Sequence, residues 1–444
     1  MDSLAKLSLL APEMGLEPAE ESRLAPPSSA YQDRSGSPVG FSTGAGGAAS
    51  RAPCGHSPHE LRRAFDRSAT IAAAGTTPEV LTRGAPDPAS SLERKKSSLG
   101  VHHAAMPGGQ KMALLKTLLT SACERDCYYC PFRARRNFRR ATFKPDEMAA
   151  VFTQLAQSRV ADGLFLSSGV AGGGVRTQDR LIDTIDILRR KHTFQGYVHL
   201  KLMPGVERDQ VYRSMQLADR VSINLEAPNT ARLGKLAPGK VFLEELLQPL
   251  KWADEIRRTE LPRGTQHGRW PSTVTQFVVG AVGEDDLEIL TTSAYLIRQL
   301  RLQRVYYSAF SPVTDTPLEN HAPENPWREH RLYQASFLLR DYGFDLEDLP
   351  FTPAGRLPLE VDPKLGWADL NLRHQPIELN RADRPSLLRV PGIGPKSADQ
   401  IITARRQGRL RDLGDLQRLG INASRAAPYI LLAGRQPAYQ ARLF

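Results

Sequence analysis

Three cysteines stand within eight residues, in the run Cys123-Glu-Arg-Asp-Cys127-Tyr-Tyr-Cys130. Thiolates spaced C-x3-C-x2-C can converge on one metal centre, and their number restricts which one. A closed structural zinc site takes four ligands. Here the fourth would come from a distance, from Cys54, His102 or His103. A 4Fe–4S cluster held by three Cys instead leaves one iron with an open coordination position, which a reactive cofactor needs. Four cysteines in 444 residues do not make a disulfide framework. Cys54 and nearby His56 are left without a role.

A basic segment follows directly. Phe132 to Lys144 holds six basic residues and no acid, with Phe132 and Phe138 interleaved. Basic residues among aromatics can grip phosphates and stack on bases. Arg135, Arg136 and Arg139 are therefore candidate nucleic-acid contacts; the plain alternative is a solvated loop. A third constellation lies near the C-terminus. Leu387, Leu388 and Val390 lead into Pro391-Gly392-Ile393-Gly394-Pro395-Lys396, and Ala398, Ile401 and Ile402 lead out along a helix expected over 396–407. This resembles a helix-hairpin-helix module. Gly392 and Gly394 would let backbone amides point outward at a helix N-terminus, an anion site to which Lys396 adds charge. Contacts of that kind hold a phosphate backbone without reading sequence. The stretch 413–421 resembles a weaker second hairpin. A protein-binding use of the motif is the alternative, and the local charge weighs against it.

The charge balance supports an anionic partner. The chain carries 59 Lys+Arg against 48 Asp+Glu, and residues 376–444 alone hold 12 against 5. At 41% hydrophobic residues it can bury a sizeable core. No apolar run approaches the roughly 20 residues of a membrane span. Met1 to Leu10 does not read as a secretory signal, so a cytoplasmic location and no membrane partner are expected.

These residues need elements to position them. Leu114 to Leu119 reads as a strand and leads straight into the cysteines. Strand-like runs then alternate with helical patterns. Strands at 163–167, 196–203, 220–225, 272–279 and 303–310 precede helices at 177–191, 208–218, 242–259, 285–300 and 327–342. Six β/α units imply a parallel sheet with helices outside it, as a partial barrel or a doubly wound sheet. The cysteines then sit in the loop after the first strand, at the sheet end where active sites form. The organisation expected is a flexible extension over 1–109, with short helices at 2–10 and 59–67. A core over 110–345 and a Pro-rich linker over 346–375 follow. The last unit, 376–444, is a small all-α nucleic-acid-binding domain.

The motif, with Tyr129 just before the last Cys, resembles the signature of the radical S-adenosylmethionine (radical SAM) enzymes over residues 110–345. The resemblance implies a partial (β/α)6 TIM-like barrel, with Cys123, Cys127 and Cys130 binding three irons. The fourth iron would chelate S-adenosylmethionine, whose reductive cleavage yields a 5′-deoxyadenosyl radical. It implies further cofactor contacts. Ser167, Ser168 and Gly169 stand where the family often has a Gly-Gly-Glu-type segment, here without the acid. Ser222, Asn224 and Glu226 stand where ribose or the methionyl carboxylate binds. Gly280 and Gly283, with Glu284 following, resemble an adenine-contacting stretch. His199 and Lys201 share one strand face and are either substrate-facing or barrel interior. With the C-terminal hairpin, the start MDSLAKL, LLKTLLTSACERDCYYC and GLFLSSGV fit a subgroup described as DNA modification or repair radical SAM proteins. That implies nucleic acid as partner, DNA ahead of RNA. It also implies a one-electron reductant such as flavodoxin or ferredoxin, and a uracil-DNA glycosylase-like protein. A non-enzymatic nucleic-acid-binding protein with a structural metal is the alternative class.

Overall fold

The computed structural model describes residues 1–16, 97–105 and 111–439. The helix expected over 59–67, Cys54 and His56 lie outside the described residues.

One seven-stranded sheet organises the core, and its strands lie side by side in the order of the sequence. β1 (Val101–Ala105) pairs antiparallel with β2 (Lys111–Leu118). From β2 onward every pairing is parallel: β3 (Gly163–Ser167), β4 (Tyr197–Lys201), β5 (Arg220–Ser222), β6 (Ser272–Val279) and β7 (Arg304–Ala309). A doubly wound sheet reverses its strand order at a switch point; this one never does. Right-handed crossovers that always advance in one direction put every helix on the same side. The sheet therefore curls into a partial (β/α)6 barrel with side chains inside and helices outside. β2 and β3 are buried on both faces over most of their length, as continuous apolar runs require.

Each parallel strand returns through a helix: α2 (Pro145–Gln157), α3 (Gly174–Arg190), α4 (Arg208–Leu217), α5 (Thr230–Leu236) with α6 (Gln248–Thr259), α7 (Asp286–Gln299) and α8 (Pro326–Asp341). Their starts are locally encoded. Asp285 accepts from Glu288 N (2.7 Å) while Glu288 accepts from Asp285 N (3.1 Å), a capping box at α7. Pro145 and Pro326 open α2 and α8, where a missing amide costs nothing. A π turn, Phe242–Leu247, precedes α6 in the helix expected as one piece over 242–259.

Two ends of the expected extension belong to the core. Helix α1 (Ser3–Leu10) buries Leu7 and Leu10, and Lys6 and Ser3 hold Glu147 of α2 at 2.7 and 2.8 Å. β1 covers the outer edge of β2. The expected linker is likewise packed. Asp362 caps α9 (Pro363–Asn371), and Arg331 of α8 donates to Leu359 O (2.9 Å). Trp367 packs on Phe344 with ring centroids 5.5 Å apart. Apolar residues among the prolines supply the surface that holds this stretch down.

The C-terminal unit has its own core of Leu379, Leu387, Val390, Ile393, Ile401, Leu416 and Ile430. It contains α10 (Arg384–Arg389), α11 (Pro395–Gln407), α12 (Leu413–Arg418) and α13 (Ala423–Ala426). A two-residue parallel pair, Ile377–Glu378 with Ile430–Leu431, closes it, so it is not purely α-helical. Among the described residues, no helix is long and apolar enough to cross a membrane.

Candidate active site

The cysteine loop leaves the end of β2 and is fastened on several sides. Leu119 N donates to Ser167 O (2.8 Å), Gly169 N to Thr120 O (2.7 Å) and Glu124 N to Val170 O (2.8 Å). Gly169 permits this passage. A Cβ there would collide with the Ala122 carbonyl and stand 3.1 Å from Cys123 Cβ. The three residues between Cys123 and Cys127 each take a different anchor. Glu124 accepts from Gly172 N and Gly173 N, both at 3.1 Å. Arg125 donates to Glu245 (2.6 Å) and to the Gly239 carbonyl. Asp126 accepts from Arg133 (2.6 Å).

Cys123, Cys127 and Cys130 form no disulfide and face one cavity of about 150 Å³. Backbone amides of Arg125 and Phe132 point at the Cys123 and Cys130 sulfurs, each at 3.4 Å. Burial pushes the Cys127 thiol up to about 11. Burial, then the neighbouring Cys127, raises Cys130 well above the ordinary thiol range. Among the described residues, no group of three or more His, Cys, Asp or Glu is spaced to hold a single metal ion. Three soft sulfur donors around one space, with Arg125, Lys201 and Lys240 on the same wall to offset thiolate charge, suit an iron–sulfur cluster.

The remaining wall comes from the C-terminal ends of the parallel strands. Lys201 closes β4 and donates to Asn224 Oδ1 (2.6 Å), and Asn224 Nδ2 donates to Gln276 Oε1 of β6 (3.3 Å). That chain orients the Asn224 amide. Glu226 is 4% exposed and sits at φ 65°, a left-handed conformation that side chains rarely adopt. Two backbone bonds hold it there, Glu226 N to Gln276 O (3.0 Å) and Val278 N to Glu226 O (2.8 Å). Lys240 Nζ donates to Glu226 Oε1 at 3.0 Å, while Oε2 has no hydrogen-bond partner among the described residues. Burial works against the Glu226 charge, but Lys240 and then Lys201 outweigh it and hold its pKa below the ordinary carboxylate value. The same balance raises Lys240, whose burial is outweighed by Cys127 and Glu226. Burial, then Glu226, raises the phenol of Tyr129.

The cavity thus gathers Cys123, Cys127, Tyr129, Cys130, Ser167, Ser168, Gly169, Lys201, Asn224 and Glu226. Other expected contacts go elsewhere. Ser222 lies 2.8 Å from His199 Nε2, and neither lines the cavity. Gly280 and Gly283 turn away from it. Gly280 adopts φ 92° against Glu324, and Glu284 folds back onto the Gly280 and Val282 amides. Arg136 is consumed by the carbonyls of Thr314 (3.1 Å) and Pro131 (2.9 Å). Arg140 points inward onto the Ser121, Phe132 and Arg133 carbonyls and lies over the Phe138 ring. Arg135 and Arg139 remain exposed, Arg135 at 3.5 Å from Asp126. Lys240 and Gln276 are cavity residues that sequence reading passed over, because each arrives from a separate strand or loop with no local motif.

At the C-terminal hairpin, Gly392 adopts φ 84°, and a Cβ there would press the Asn422 carbonyl at 2.9 Å. Gly394 caps α11, Pro395 opens it, and Lys396 is exposed beside them. Part of the unit's positive charge is spent internally. Arg384 pairs with Asp399 (2.7 Å) and Arg418 with Asp415 (2.8 Å), while Arg425 reaches Asp362 of the connection (3.4 Å).

Residues 373–424 match the family model of the helix-hairpin-helix motif. No curated protein sequence matches the chain. Three solved structures show partial likeness. Methylornithine synthase is 16% identical, over 57% of this chain and 70% of that one, with a TM-score of 0.40. The FeFe-hydrogenase maturase HydG from Carboxydothermus hydrogenoformans is 14% identical, over 51% of each chain, with a TM-score of 0.41. A radical SAM methyltransferase from Sphaerobacter thermophilus is 15% identical, over 53% of this chain and 70% of that one, with a TM-score of 0.38. The chemistry in those names belongs to those proteins.

Proposed function

We propose that this chain is a radical S-adenosylmethionine enzyme that modifies or repairs a nucleotide in DNA. The observation that carries the reading is the convergence of three thiols with Asn224, Glu226 and Lys240 at the C-terminal rim of a partial barrel. Cys123, Cys127 and Cys130 would hold a 4Fe–4S cluster, and when bound with S-adenosylmethionine it supplies reductive cleavage of the sulfonium bond. The chain's own residues bind and orient. The Ser167–Gly169 main chain and the Asn224 amide offer polar contacts to an amino-acid or ribose group. Glu226 and Lys240 present both charges from a buried place, where each acts more strongly than in water. Phe132, Met203 and Phe310 line the same space and exclude water from it. A one-electron reductant of flavodoxin or ferredoxin type would complete the reaction in a cytoplasmic setting, and a uracil-DNA glycosylase-like partner is the further expectation. The hairpin at Gly392–Lys396 would hold the phosphate backbone.

Anaerobic reconstitution tests this. Iron and sulfide should be retained by the wild type and lost by Cys123→Ala. 5′-Deoxyadenosine should form only with the wild type and a reductant. Zinc in place of iron, or equal turnover by both proteins, sinks the proposal.

A further inference from the structure

The hairpin and the cavity sit at opposite poles of the barrel. Helix α8 starts at the cavity pole: Glu324 N, just before it, donates to Phe310 O (2.9 Å), and Phe310 lines the cavity. The helix then runs antiparallel to β7. Its far end lies at the strands' N-terminal ends, where Arg340 donates to Gln303 O (2.6 Å) just ahead of β7.

The hairpin is fastened at that far end. Arg389 of α10 pairs with Asp348 (2.7 Å) and donates to Gly343 O (3.1 Å). Its guanidinium lies 4.0 Å from the Phe344 ring centroid and 4.9 Å from that of Trp367. Lys364 Nζ donates to Ile393 O inside the hairpin loop (2.5 Å) and stands over the Tyr342 ring. A Cβ at Gly394 would lie 3.2 Å from the Tyr342 hydroxyl. These contacts seat the loop itself against the barrel and leave Lys396 exposed. The hairpin is carried at a fixed place and not on a tether.

Helix α8 has 16 residues. At 1.5 Å per residue it separates the two poles by about 24 Å. A duplex rises about 3.4 Å per base pair, so that separation equals about 7 base pairs. We propose that one DNA duplex engages the hairpin and the cavity rim together. A duplex laid along α8 puts about 7 base pairs between the gripped phosphate and the nucleotide presented to the cavity. This rests on the nucleic-acid reading above and adds to it a dependence on substrate length. The rim's share of the contact falls to Arg135 and Arg139, the exposed cations beside the cysteine loop.

The test is the affinity of the full chain for DNA duplexes of about 6, 12, 18 and 24 base pairs, corrected for overlapping registers. Two contacts on one duplex multiply through effective concentration. The wild type should gain about tenfold or more between the shortest duplex and about 18 base pairs. Lys396→Glu and the pair Arg135→Glu with Arg139→Glu should each remove that step. All three residues are exposed, and unchanged circular dichroism and melting would show that the variants fold. A step that survives either substitution overturns the inference, as does a wild type that binds the shortest duplex and gains nothing with length. If the folded wild type binds no duplex at any length, the nucleic-acid reading itself falls and takes the inference with it.

Discussion

Glu226 shows how a single side chain is committed to the cavity. Its left-handed backbone stores about 1–3 kcal/mol that the surrounding sheet must offset. Its carboxylate is buried with one cation in direct contact, Lys240 at 3.0 Å. Removing that cation leaves a buried charge with only the more distant Lys201 to offset it, which costs up to about 3–5 kcal/mol. Lys240→Met should therefore lower the melting temperature clearly, and adding Glu226→Gln should restore part of the loss because the two sites are coupled. A double variant that melts no higher than Lys240→Met would mean that the lysine acts by packing. The sequence made Glu226 legible because it alternates with Ser222 and Asn224 along one local run. It did not reveal Lys240, which meets Glu226 only through a loop fourteen positions further on. Ser222 fell on the expected face, yet its hydroxyl meets His199, a partner from the neighbouring strand that no local pattern names.

At the level of elements, the β/α alternation was legible because buried parallel strands are written as short apolar runs between helical periods. The six parallel strands lie where those runs stand. β1 is not legible locally: two adjacent histidines interrupt its apolar run, and only pairing with β2 makes the segment a strand. Helix α9 escaped because prolines dominate the text around it. Yet α9 carries Lys364, whose ammonium is buried and pushed down to about 7 by that burial. Between that value and its ordinary 10.5 the unfolded chain holds a proton that the folded one has lost. Stability should therefore rise with pH across this window and stay level below it. Urea midpoints measured from pH 6.5 to 9.5 for wild type and Lys364→Met should diverge upward for the wild type. Parallel midpoints would show that Lys364 keeps its proton inside the fold.

For the whole molecule, the barrel and the C-terminal unit each have a core, and a packed connection joins them. Composition pointed to the anionic partner, but not to where the cations end up. Internal pairs and backbone carbonyls absorb Arg136, Arg140, Arg384, Arg418 and Arg425, and only folding decides which are absorbed. Strand order carries another implication, for how the chain assembles. Each strand finds its partner in the segment just before it, so the sheet can grow from β2 as the chain leaves the ribosome. Helix α1 is the exception. It precedes the sheet in the chain, but its partner Glu147 lies 141 positions beyond Lys6. It must wait, and it docks late. Leu7 is 1% exposed, so Leu7→Ala should cost about 2–5 kcal/mol. For an element absent from the folding nucleus, that cost appears as faster unfolding with refolding almost unchanged. Stopped-flow traces in urea would show it, and slowed refolding would instead place α1 in the nucleus. A helix that precedes the sheet in sequence would then be among the last elements to find its place.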